Sequence, residues 1–120
     1  LGRSLLNATL RDYGRFGYFF MHGAAINGVS IVPAGWAADA TRSHIKTGWG
    51  DIGYGYQWWI NPDGTYRALG ICGQIIFLDP KADIVVVANS AWPEADWDPG
   101  YDAVDAFNAA VVKAVQARPK

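Results

Sequence analysis

Residues 66–89 read "YRALGICGQIIFLDPKADIVVVAN", and this stretch decides the fold. Tyr66 to Ile71, Gln74 to Leu78 and Ile84 to Asn89 are three runs rich in β-branched and aromatic residues, divided by glycines and by the turn "DPKAD". Runs this short, with so little between them, can return only as antiparallel neighbours, so the pattern predicts a meander of three or four strands. Gly70 and Gly73, three apart, interrupt the pattern. Glycine inside a strand marks a bulge or a place where a ligand or another backbone comes close. An unpaired N–H at Gly73 would be free to donate to a substrate oxygen.

Upstream, Tyr56, Trp58 and Ile60 alternate with Gln57 and Trp59, which predicts a further strand from Tyr54. Its end at Asn61-Pro62-Asp63-Gly64 is a turn signal that folds it back onto Tyr66. Before it stand a glycine-rich loop over 46–53, a helix over 33–41 opened by Pro33, and the short extended piece "VSIVP". A first helix over 9–22 begins with Thr9 and Asp12, a capping box with Asp in place of Glu, and puts Tyr13, Phe16 and Phe20 on one face. Downstream, 99–117 sets Val104, Phe107, Val111 and Val115 on one face, with Asp98 as N-cap, Pro99 at N1 and Asp102 and Asp105 in the early turns. This last helix should cover one face of the sheet. The class is α+β, in one unit over 1–120.

Composition narrows the function. A net charge of -1 gives no global field for nucleic acid or anionic membrane, and no apolar run approaches the ~20 residues of a membrane span. One cysteine excludes an internal disulfide and fits a reducing, cytoplasmic location; two distant histidines offer no zinc pattern. No metal or other cofactor is expected. "LGRSLLNATL" has neither a secretory nor a transit-peptide pattern, and a chain that does not start with Met reads as a segment of something longer. Trp49, Tyr54, Trp58, Trp59 and Trp92 are too many large aromatics for so little chain to bury, so another chain or segment should pack against it.

Several motifs have two readings. "SHIKTG" at 43–48 fits both S-x-x-K and K-T-G, but both patterns use Lys46, and Thr-Gly-Trp-Gly follows at once, which forbids the helix that would put Ser43 and Lys46 on one face. It reads as a solvated helix end followed by a loop. His22 and His44 read as surface or capping residues. Cys72 reads as a small buried apolar residue or as a nucleophile with no base near it in sequence. Asp98 is a helix cap or a contact for a cationic ligand, and Trp59 is core or pocket wall.

The ordered series "TLRDYGRFG", "IVPAGWAADAT", "GYGYQWW", "GICGQIIFLDPKADIVVVANSAWP" and a closing amphipathic helix resembles the C-terminal part of the serine hydrolases with a class C β-lactamase fold, nearest to the branch acting on linear 6-aminohexanoate (nylon) oligomers. The resemblance spans almost the whole chain. It implies the last sheet strands of a β-lactamase/transpeptidase-like fold, the terminal helix on one face, and two helices of the helical region. It implies amide hydrolysis in which the Ser, Lys and Tyr come from an N-terminal part of the same enzyme, so that this segment alone is inactive. The family's third motif falls on a sheet edge, here Gly70-Ile71-Cys72-Gly73, without its usual cation and hydroxyl, so penicillin-like carboxylate recognition is not implied. By the same resemblance, the Gly73 N–H is an oxyanion donor, Trp59, Ile71 and Cys72 line the substrate, and Asp98 receives its terminal ammonium. The partners implied are the N-terminal part and a small amide, and a homodimer is left open. Esterase or D-aminopeptidase/carboxypeptidase selectivity on the same fold, or a stand-alone aromatic-rich binding module, are the alternatives.

Overall fold

The three strands β6 (Tyr66–Gly70), β7 (Gln74–Asp79) and β8 (Ile84–Asn89) form the centre of the computed structural model, which describes residues 6–119. They pair antiparallel, with Leu69 opposite Ile75 and Phe77 opposite Val86. Three two-residue strands extend the sheet: β3 (Ile45–Lys46), β4 (Gly53–Tyr54) and β5 (Trp59–Ile60). The order is β3-β4-β5-β6-β7-β8, antiparallel throughout, a meander of six rather than the expected three or four strands. The extra pair comes from residues read as loop: Lys46 lies on edge strand β3, so the segment after the second helix is not merely a solvated helix end.

Both faces of β7 and β8 are covered, which is why these strands are almost continuously apolar rather than alternating. Ile75, Phe77, Ile84 and Val86 meet Val104 of α3 (Asp98–Gln116) on one face. Ile76, Leu78 and Val85 point to the other, with Phe20 of α1 (Leu10–Met21) in the same cluster. Full burial of such a side chain stabilises by about 1.5–3 kcal/mol. Leu78 is wholly buried.

The first helix follows its sequence signals. Thr9 caps it, accepting from the Asp12 N–H at 3.2 Å while its hydroxyl donates to the Asp12 carboxylate at 2.7 Å. The Thr9 hydroxyl, followed by Arg15, holds the Asp12 carboxyl below the usual range. The helix approaches the sheet most closely at a residue with no side chain: a β-carbon on Gly17 would stand 2.8 Å from Val85 and 3.0 Å from Ile76. Beyond it, β1 (Ala25–Ile26) and β2 (Val29–Ser30) form a separate two-stranded hairpin.

Three boundaries differ from the sequence expectation, each for a tertiary or backbone reason. The second helix, α2, spans only Trp36–Ala40, because Gly35 takes a left-handed φ of 77° and leaves Pro33 outside the helix. The strand expected from Tyr54 to Ile60 is broken. The last turn of α2 captures its middle, with the Ala40 carbonyl accepting from the Tyr56 N–H at 2.9 Å, and Gln57 turns left-handed at φ 69°. Trp58 is thereby buried between Phe20 and Tyr66, while Trp59 remains on β5. Finally, α3 begins one residue earlier than expected. The carbonyl of Trp97 accepts from Gly100 and Tyr101, so Asp98 is the first helical residue and not the cap. The buried face of α3 runs through Val104 and Asn108, with Val111 and Val112 partly covered, while Phe107 and Val115 are 53 % and 40 % exposed.

Candidate active site

A turn between β6 and β7 carries the glycine motif. Ile71–Gly73 is a single 3-10 turn, with Cys72 at φ 58° and Gly73 at φ 87°. β6 and β7 are central strands, so the motif caps the end of a hairpin and does not lie on an edge strand; the edges of the sheet are β3 and β8. The segment after β8 straps the turn from outside. Ser90 N–H donates to the Gly73 carbonyl and Trp92 N–H to the Cys72 carbonyl, each at 3.1 Å, and Cys72 N–H donates to the Ala95 carbonyl at 3.0 Å.

These bonds decide which N–H groups of the turn remain. Cys72 has used its own. In a 3-10 turn the third residue's N–H points to the carbonyl three positions back, which directs Gly73 inward to Gly70. Gly73 is also buried: a β-carbon there would stand 2.4 Å from the Trp92 indole, so the missing side chain makes room for tryptophan and not for substrate. Ile71, 71 % exposed, is the outward residue.

Two cavities meet at Gly70 and Ile71. The smaller, about 230 Å³, is walled by Trp49, Trp59, Leu69, Tyr101 and Asp96. Its aromatics support one another: Trp49 stacks on Trp59 at 4.6 Å and Tyr54 meets Trp59 edge-on at 4.8 Å. The larger, about 730 Å³, opens toward α1 between Leu6, Tyr13, Gln74, Val87 and Asn89. Burial pushes the Tyr101 phenol up to about 12, with the hydrogen bond and charge of Asp96 acting in the same direction.

Of the residues anticipated from sequence, Trp59 and Ile71 share the smaller cavity, whereas Cys72 is half-buried and stands outside the walls of both cavities. Asp98 is exposed at the start of α3, outside the walls of both cavities; the carboxylate on the wall is Asp96, two residues earlier. Sequence reasoning did not find Asp96, Trp49 or Tyr101 as site residues. Asp96 has the signal in plain view, since "DWD" offers two carboxylates and only the path of the loop chooses between them. Trp49 and Tyr101 have no local signal, because they reach the site from a loop and a helix distant in sequence.

"SHIKTG" brings no nucleophile. Ser43 donates to the Ile45 carbonyl at 3.2 Å, and Thr47 to the Ile52 carbonyl at 2.6 Å. No helix carries Ser43 and Lys46, so the amine is not set beside the hydroxyl. His44 stacks on Tyr56 at 4.6 Å and its Nε2 meets the Asp39 carbonyl at 2.8 Å; His22 lies 3.1 Å from Asp83. Among the described residues no three His, Cys, Asp or Glu side chains gather as a metal site, and no helix is long and apolar enough to cross a membrane.

Comparison with known proteins finds similar sequences and similar solved structures, among them the following two. The 6-aminohexanoate-dimer hydrolase of Paenarthrobacter ureafaciens is 31 % identical over 102 residues, 76 % of this chain and 26 % of its own length. A solved structure described as "Putative 6-aminohexanoate-dimer hydrolase from Bacillus anthracis" superposes with a TM-score of 0.74 at 29 % identity, covering 95 % of this chain and 31 % of that one. No family model matches. The chain thus spans roughly a quarter to a third of the length of these relatives.

Proposed function

From the premise that this chain is homologous to a segment of the 6-aminohexanoate-dimer hydrolases, we propose that it is part of a serine-type hydrolase cleaving the amide bond of linear 6-aminohexanoate dimers and oligomers. The observation that carries the reading is the 31 % identity to such a hydrolase across 76 % of the chain; a turn set between two cavities is consistent with it. The complete fold is of the β-lactamase type, and the remainder of the polypeptide supplies the nucleophilic Ser with its Lys and Tyr. It docks over the larger cavity, beside α1, and brings the nucleophile to the outer side of the turn.

The chemistry then runs in two steps. The Ser oxygen attacks the amide carbon and its proton passes to the base. The amide C–N bond breaks, the amine leaves with a proton, and water hydrolyses the acyl-enzyme. This segment supplies an oxyanion donor from the turn, the N–H of Ile71 in place of Gly73, and loss of one such donor costs about 3 kcal/mol of barrier. Trp59 and Ile71 cover the methylene chain, at about 0.8 kcal/mol per buried CH₂. Asp96, on the wall where Asp98 was anticipated, receives the terminal ammonium.

The test is release of 6-aminohexanoate from its linear dimer by the full-length polypeptide and by the 120-residue segment. Full-length protein should be active and insensitive to Ser43→Ala, and the segment inactive. Activity in the segment that Ser43→Ala abolishes would overturn the proposal.

A further inference from the structure

Trp92 stands outside both cavity walls, yet its ring and its backbone both hold the turn. Its indole lies against two glycine backbones at once: a β-carbon on Gly73 would stand 2.4 Å from its Cε2, and one on Gly100 would stand 2.6 Å from the same atom. Its N–H donates to the Cys72 carbonyl at 3.1 Å. The ring is fixed in its turn by the start of α3, with Tyr101 edge-on at 4.8 Å and Trp97 at 6.2 Å.

We propose that Trp92 is a positioning residue for the reaction, wedged between the Ile71–Gly73 turn and the first turn of α3 so that the turn presents its N–H at a fixed point. The inference rests on the reading of that turn as oxyanion donor. Cys72 gives the physical reason a wedge is needed. It is a non-glycine residue in the left-handed region at φ 58°, a disfavoured conformation that persists only where the surroundings enforce it. The three strap bonds and the indole are those surroundings. Without the ring, the space between Gly73 and Gly100 is vacant, and the turn is free to relax away from the position at which a donor meets a developing oxyanion. A donor misplaced by about 1 Å loses on the order of 100-fold in rate, because the hydrogen bond is needed in the transition state and not for substrate binding.

The experiment uses full-length enzyme and two readouts: steady-state kinetics on 6-aminohexanoate dimer and hydrogen exchange at individual backbone amides. Trp92→Ala should lower kcat by about 100-fold with KM held within about twofold. The Cys72 amide should exchange about tenfold faster or more, while amides of β7 and β8 keep their protection. Trp92→Phe should recover most of both. If Trp92→Ala fails to fold, seen as lost protection throughout β7 and β8, Trp92→Leu keeps apolar volume without the flat ring and carries the same expectations. Unchanged exchange at Cys72, or a rise in KM with kcat preserved, overturns the proposal. Should wild-type enzyme not cleave the dimer, the functional reading fails, and exchange at Cys72 still decides whether Trp92 holds the turn.

Discussion

Gly73 combines a backbone constraint with a packing constraint at one residue. Its φ of 87° disfavours any side chain, and a methyl group would enter the Trp92 ring. Gly73→Ala should therefore lower stability by about 3 kcal/mol, the sum of left-handed strain and overpacking, measured by urea denaturation. Asp96 and Asp98 separate by place rather than by type. Asp96→Asn should raise KM for the ammonium-bearing dimer by about tenfold, as expected for losing a charged hydrogen bond, whereas Asp98→Asn should leave KM unchanged. Equal effects of the two would remove the smaller cavity from ammonium recognition. Tyr66 and Tyr101 are both raised from 10.0 to about 12, Tyr66 by burial and Tyr101 by burial with Asp96. The unfolded chain loses these protons first. Stability should hold below pH 10 and fall as pH rises toward about 12, and Tyr101→Phe should flatten that loss in alkaline melts.

At the scale of elements, α3 shows how a correct periodicity can choose the wrong stripe. Positions 104, 107, 111 and 115 and positions 104, 108, 111 and 112 both satisfy a helical repeat, and polarity favours the first set because it omits Asn108. The sheet selects the second, and Asn108 is 3 % exposed. A long-range ion pair accompanies that choice. Arg67 of β6, its side chain only 9 % exposed, pairs with Asp105 of α3 across 38 residues, and its Nε has no hydrogen-bond partner among the described residues. Asp105→Ala should cost about 3 kcal/mol in chemical denaturation, since it leaves a buried guanidinium without its counter-ion. Phe107→Ala, at an exposed position, should stay within about 0.5 kcal/mol. The strands β6, β7 and β8, the Thr9 cap and the 61–64 turn were legible in the sequence because each signal acts within a few residues. The break at 55–58 was not legible, because it is made by the Ala40 carbonyl, a partner that belongs to another element.

The whole chain exposes 8261 Å², against about 6,300 Å² for a compact monomer of this mass. Ile26 and Val29, paired across the β1–β2 hairpin, are 55 % and 68 % exposed, and Ile31 just after it is 61 % exposed. The isolated segment should bind ANS and self-associate in sedimentation, and full-length protein should do neither. The anticipated surplus of aromatics is only partly seen: Trp58 is buried, while Trp49 is 46 % exposed beside the smaller cavity.

The sequence alone determined the α+β class, the three long strands, the turns that join them, the Thr9 cap, the closing helix, and the inability of Ser43 and Lys46 to act as a pair. Periodicity and turn chemistry are properties of neighbouring residues, so a linear reading captures them. Tertiary structure decided that Gly73 is shaped for Trp92, that Ile71 faces the cavities, that Asp96 rather than Asp98 stands on the wall, and which face α3 buries. Each of these is a choice between nearly equivalent local options, made by contacts with residues far along the chain.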